Sequence, residues 1–168
     1  CCAISAPGEA LTRFGETQEI PVHAVPMERR IAPFRDVVSL WRLYRTLRKA
    51  RPTIVHAHTP KASLLAMIAA CAAGTPVRIY HVHGLRAATS QGLKQKVLRW
   101  TEWLSCRLAN QVLCVSHSVR DVLIADRLCS GDKVKVLANG SINGVDARGH
   151  FNPARFGAAS RLETRRQL

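Results

Sequence analysis

Acidic residues are scarce in this 168-residue chain: 11 Asp+Glu stand against 25 Lys+Arg, a formal charge of +14. Aromatic side chains make up only 5%, so the hydrophobic 47% falls mainly on Ala, Val, Leu and Ile. That composition excludes a disordered segment and suits helices packed closely on a sheet. No apolar run reaches the roughly 18–20 residues needed to span a bilayer, so any membrane contact is expected to be peripheral. Residues 1–5 are apolar but too short for a signal peptide. The six cysteines contain no C-x-x-C spacing. Most sit in apolar runs, where a buried reduced thiol is the ordinary occupant; the expectation is a cytoplasmic protein without a disulfide framework. No G-x-G-x-x-G occurs, which removes the usual fingerprint of a dinucleotide site. The positive charge is distributed among segments that each have an apolar face, the pattern of solvated helix surfaces. A basic nucleic-acid-binding or dinucleotide-binding module is the alternative reading, and the placement of the aromatics on helix stripes argues against nucleic acid.

What is present alternates in period. Residues 1–5, 21–25, 53–58, 77–82, 111–115 and 133–137 read as short strands rich in β-branched residues. Phe34, Val37, Val38, Trp41, Tyr44 and Leu47 recur at helical spacing, with Arg35, Arg42, Arg45 and Arg48 on the other face. Residues 61–73 form an Ala/Leu helix ended by Gly74 and Pro76. Residues 93–109 form a longer helix with Leu93, Val97, Trp100, Leu104 and Leu108 on one stripe, and residues 118–128 another. Strand and helix alternate without room for hairpins. The predicted fold class is α/β: a doubly wound parallel sheet, Rossmann-like, with right-handed crossovers. Both ends resemble cuts through a longer protein, since the chain opens directly into a strand and closes on an uncapped helical sequence.

Ligands of such sheets bind at the carboxyl ends of the strands. The residues to read are therefore Ser5 to Gly8, His58 to Lys61, His83 with Gly84, Ser116 to Ser118, and 139–146. These loops are richer in Gly, Ser, His and Asn than the rest of the chain.

Residues 51–62 (RPTIVHAHTPKA), 77–84 (VRIYHVHG) and 112–116 (VLCVS), together with Asn139-Gly140 and the NGVD of 143–146, resemble successive strand-end motifs of bacterial family 4 glycosyltransferases. The likeness extends over nearly the whole chain and is closest to the capsule and exopolysaccharide branch. It implies the acceptor-side N-terminal domain of a GT-B enzyme over residues 1–146, lacking its first strand, Gly-rich loop and helix. That first strand would lie between the strand at residue 1 and the strand at residue 53. Residues 147–168 would be the linker and lead-in to a second, nucleotide-sugar-binding domain of the same chain. The activity implied is transfer of a sugar, with retention, from a nucleotide-sugar donor to a saccharide or polyprenyl-diphosphate-linked acceptor. No cofactor is implied within this segment, and the segment alone is expected to be inactive.

The resemblance places His83 near the transferred sugar, as the catalytic candidate. Residues His58, Thr59, Lys61, Gly84, Ser116, Asn139 and Gly140 become acceptor-side candidates. Thr59-Pro60-Lys61 opens a helix, where free N–H groups and the Lys61 ammonium suit a phosphate. Each candidate also has an ordinary structural reading: a core histidine, a surface lysine, or, for Ser116 or Ser118, a helix cap. Lys94, Lys96 and Arg99 beside Trp103 suit an anionic membrane surface, against the alternative of a core stripe with a solvated face. His56 with His58, and His81 with His83, put four imidazoles on neighbouring strands, a zinc-ligand set by residue type. Neither motif contains a carboxylate and the resemblance implies no metal here, so no metal is assigned.

Overall fold

In a computed structural model of the chain, residues 1–28, 32–85, 90–138, 140, 149 and 152 are described. Among the described residues six strands and five helices alternate: β1 (Ala3–Ser5), α1 (Glu9–Gln18), β2 (Val22–Ala24), α2 (Pro33–Ala50), β3 (Ile54–His58), α3 (Pro60–Ala72), β4 (Val77–Val82), α4 (Gly92–Leu108), β5 (Gln111–Cys114), α5 (His117–Ala125) and β6 (Val134–Val136). Every strand pair is parallel, as crossover connections require. The strands form two sheets, β1-β2 and β3-β4-β5-β6. The fold is the Rossmann-like α/β class that the alternation predicts.

Between the two sheets lies a slot. A cavity of about 340 Å³ has Cys2, Ile4 and Ser5 on one wall and Ile54 to His58 on the other, with Leu43 and Leu47 of α2 and Ala62 and Ala66 of α3 around it. It separates β1 from β3.

The buried apolar residues of the larger sheet come from one face. Ala57, Tyr80, Val82, Val112, Cys114 and Val134 pack with Met67 of α3, Cys106 of α4 and Leu123 of α5. Alternation sends Ile54, His56, His58 and His81 to the opposite face, where Ile54 is 56% exposed. A second cluster joins Leu43 and Leu47 of α2 to Leu65, Ala69 and Ala70 of α3, with Val25 at the end of β2. Being apolar on all sides, α3 belongs to both clusters.

Three helical details differ from the sequence reading. First, α1 was not foreseen. It buries only Leu11 and Gly15, so its apolar signal is thin. A Cβ on Gly15 would stand 2.8 Å from Val22 Cγ1, so only glycine allows this approach of helix to strand. Second, α2 turns a different stripe inward. It buries Ser39, Leu43 and Leu47, while Phe34, Val37, Val38 and Trp41 are exposed. Ser39 is tolerated there because its hydroxyl donates to the carbonyls of Arg35 and Pro26. Third, α4 buries Glu102, Ser105 and Cys106, leaving Leu93, Val97, Trp100 and Trp103 exposed.

Glu102 explains the orientation of α4. Its carboxylate accepts a 2.5 Å hydrogen bond from the Tyr80 hydroxyl, and both side chains are buried. Burial raises the Glu102 pKa, and the Tyr80 bond partly counters that rise. Tyr80→Phe would leave the carboxyl group buried without its donor, a loss of about 1–3 kcal/mol. Urea unfolding should show a lower midpoint with an unchanged slope; an unaltered midpoint would show that the bond contributes nothing.

Candidate functional site

All carboxyl ends of β3, β4, β5 and β6 lie on one edge, since the four strands run parallel. His58 is the last residue of β3 and His83 follows β4 directly. His58 Nδ1 and His83 Nε2 are 3.0 Å apart, so one ring donates to the other. The predicted pairing of the two His-x-His segments as neighbours holds, because His58 lies opposite His81 in the strand register. The His56 and His58 rings are 4.3 Å apart, and His56 stacks on His81 with an 8° interplanar angle at 5.4 Å. His81 and His83 complete the group, at 4.9 Å between centroids. Four imidazoles thus form one cluster.

Partial loss of solvent and mutual repulsion disfavour the charged form of His56, His58 and His81. His58 is held down to about 4, first by burial and then by His56, His81 and His83. Burial followed by the His83 charge lowers His56. Burial, His83 and His56 lower His81. Neutral rings can donate from one nitrogen and accept at the other, which suits them to hydroxyl-bearing ligands.

Thr59 makes the turn from β3 into α3 with φ 69°, a left-handed value at a β-branched residue. Such a conformation costs on the order of 1–3 kcal/mol and persists where surrounding structure dictates it. Its carbonyl accepts from Ser63 N–H as the first turn of α3 closes. Lys61 does not present a bare ammonium to the edge. Its Nζ stands 2.6 Å from Asp36 Oδ1, in an ion pair whose side chains are about one-fifth exposed, 22% and 19%. That pair ties α3 to the first turn of α2. Asp36, the partner, was not foreseen from sequence; the signal was an acid in the first turn of a predicted helix.

Ser116 follows β5, and its hydroxyl caps α5 by accepting from Val119 N–H at 3.2 Å, with Ser118 Oγ 2.9 Å away. The capping reading of Ser116 is correct. Val115 N–H donates to the Val82 carbonyl, continuing the β4–β5 register one residue past Cys114. Gly140 has φ 85°, and a Cβ there would fall 2.5 Å from Val115 carbonyl oxygen, so the chain after β6 presses on the Val115–Ser116 turn. Gly84 meets nothing within 4 Å and has no such constraint. Asn139 lies outside the described residues, as does nearly all of the segment from 141 onward.

On α4, Lys94 and Lys96 are exposed, and Trp103 is 41% exposed. Trp100, assigned to the core stripe by its spacing, is 58% exposed. Arg99 instead makes a 2.6 Å ion pair with Asp126 at the end of α5 and a further bond to its carbonyl. Its role is bracing one helix against the next. Among the described residues no helix is long and apolar enough to cross a membrane.

A family model described as a glycosyl transferase 4-like domain matches residues 2–140. The Staphylococcus aureus capsular polysaccharide biosynthesis glycosyltransferase CapM is 37% identical over 142 residues, covering 84% of this chain and 37% of that protein. An Escherichia coli protein, UDP-Gal:alpha-D-GlcNAc-diphosphoundecaprenol alpha-1,3-galactosyltransferase, is 30% identical over 113 residues, 67% of this chain and 29% of its own length. The chain therefore spans about a third of these curated relatives. Among solved structures, Anabaena HepE with UDP and glucose superposes with a TM-score of 0.64 at 20% identity, over 83% of this chain and 36% of that one. A Rickettsia africae glycosyltransferase gives 0.60 at 20% identity, over 97% and 39%.

The lowered histidine pKa values set a pH dependence. In the fold His58 titrates near 4, against 6.5 ordinarily, so the unfolded chain holds more protons between those values. Stability should rise with pH through that window and fall as pH drops through it. For EDTA-treated protein, urea midpoints between pH 4 and 7.5 should climb, and His58→Asn should flatten the climb. Equal pH slopes for the two proteins would contradict this origin.

Proposed function

We propose, starting from the glycosyl transferase 4-like family to which this chain belongs, that the protein containing it moves a sugar from a nucleotide-sugar donor to a saccharide or polyprenyl-diphosphate-linked acceptor in cell-surface polysaccharide synthesis. The observation that carries this reading is the hydrogen-bonded His58–His83 pair at the shared carboxyl edge of parallel strands. The name of the E. coli relative, which specifies a diphosphoundecaprenol-linked substrate, supports a lipid-linked acceptor. Nucleic-acid binding has lost its counter-argument from buried aromatics, since Trp41 and Trp100 are exposed. Family membership nevertheless favours sugar transfer.

In this reading His83 touches the transferred sugar, and His58 orients its ring through the 3.0 Å bond. The N–H groups opening α3 after Thr59 receive an acceptor phosphate. Lys61, committed to Asp36, holds α2 and α3 at the spacing that frames this entrance. Ser116 and Gly140 shape the far side of the edge. Catalysis would rest mainly on positioning two substrates and stabilising the leaving diphosphate, with retention at the anomeric carbon. The donor is held by a second domain of the same protein. A preceding strand fills the slot between β1 and β3. By itself the segment of residues 1–168 then has negligible turnover.

Transfer from nucleotide sugars to lipid-linked acceptors, assayed in the protein with its flanking sequence, should fall about 100-fold or more in kcat for His83→Ala, the scale of losing a positioned polar group at a reacting centre. Full activity in that variant would remove His83 from the mechanism. Comparable turnover by residues 1–168 alone, or equal amide exchange at β3 with and without the preceding sequence, would refute the two-domain and slot assignments.

We also infer a peripheral membrane seat, on the inner face of the cytoplasmic membrane, through the exposed Leu93, Lys94, Lys96, Val97, Trp100 and Trp103 of α4. Apolar and indole surface beside lysines suits anionic headgroups. Phosphatidylglycerol vesicles should sediment the protein in a salt-sensitive manner and phosphatidylcholine vesicles should not. Lys96→Ala should weaken binding about fivefold, from roughly 1 kcal/mol per basic residue. Indifference to lipid charge would overturn the assignment.

A further inference from the structure

The histidine cluster has a geometry that hydroxyl recognition does not require. One ring nitrogen from each of His56, His58 and His81 lies within 4.8 Å of the other two. Tetrahedral zinc with Zn–N distances near 2.05 Å places its donors about 3.4 Å apart. The trio therefore needs to close by roughly 1.4 Å at most. His56 and His58 are exposed, so their rings can turn without disturbing the core, while His81 is buried at 8% exposure and anchors the group.

Two further observations point to a ligand. His81 Nδ1 is buried and has no hydrogen-bond partner among the described residues, although buried ring nitrogens ordinarily find one. His58 Nδ1 stands 3.0 Å from His83 Nε2, and in the tautomer that donates Nδ1–H to His83 the Nε2 lone pair is left for a metal.

We propose that His56, His58 and His81 bind one divalent transition-metal ion of the zinc class, with a fourth position open to water or an anionic oxygen. Three neutral ligands leave the ion its full charge, so the open position favours an oxygen anion such as a phosphoryl group. His83 acts as a positioning residue through His58. The site shares His58 and His83 with the sugar-transfer reading, but its test does not depend on that reading, because metal binding is measured without turnover.

The test is a zinc titration of the full chain, stripped with EDTA and dialysed, in competition with a chromophoric chelator. Cys1→Ser, Cys2→Ser and Cys71→Ser remove the exposed thiols from the background. The expected result is one equivalent bound per chain, with cobalt giving the visible d–d absorption of a four-coordinate site. His56→Ala and His58→Ala should each weaken zinc binding about 100-fold or more, the scale of losing one of three ligands. His83→Ala should weaken it about 10-fold, the scale of losing an outer partner. His23→Ala, outside the cluster, should change nothing. Circular dichroism checks that each variant is folded, and the exposure of His56 and His58 keeps both ligand variants safe on that count. No stoichiometric binding, or binding undiminished in the folded His56→Ala and His58→Ala variants, overturns the site.

Discussion

The parallel pairing of β3 with β4, in the register that sets His58 against His81, is the constraint on which the rest of the structure depends. A slip of one residue would send the imidazoles of one strand to the opposite face, among Ala57, Tyr80 and Val82, and would bring those core side chains into water. The apolar cluster beneath the sheet and the histidine cluster above it are therefore specified together. Burial of Tyr80 and Val82 locks the register, and the register assembles the four rings.

One face of β3–β6 carries the core with α3, α4 and α5, and the other carries Ile54, His56 and His58 in the open. This division explains why the chemistry gathers where it does. Side chains on the covered face are committed to packing, whereas those above can meet a ligand. The ion pairs Lys61–Asp36 and Arg99–Asp126 then brace the helices laterally, α3 to α2 and α4 to α5. In a chain with so few acids, two of them are spent holding cations that sequence reading had assigned to ligands.

The parallel sheet, the neighbouring His-x-His strands and the edge carrying the histidines are legible in the sequence, because short β-branched runs separated by helical spacing admit few arrangements. The inward faces of α2 and α4 are not. Both helices bear two overlapping stripes, and the one that packs includes buried polar residues: Ser39 in α2, Glu102 and Ser105 in α4. Apolar periodicity selects the opposite stripe, so Trp41 and Trp100 were assigned to the core and lie in solvent. The helix α1 escaped notice for a related reason: a glycine replaces the apolar residue that would have marked its second turn.

What the sequence by itself determined is the alternation of strand and helix, the parallel sheet, and the residue types gathered at the strand ends. Those follow from local preference and period, which act over a few residues. What only the tertiary structure decided is which stripe of each helix faces the sheet, which acid neutralises Lys61 and Arg99, and how closely the imidazoles approach one another. Each of these depends on distances between residues far apart in the chain, such as Tyr80 and Glu102 or His58 and His83. A hydrogen bond to a buried carboxylate can outweigh an apolar stripe, and no periodicity records its partner.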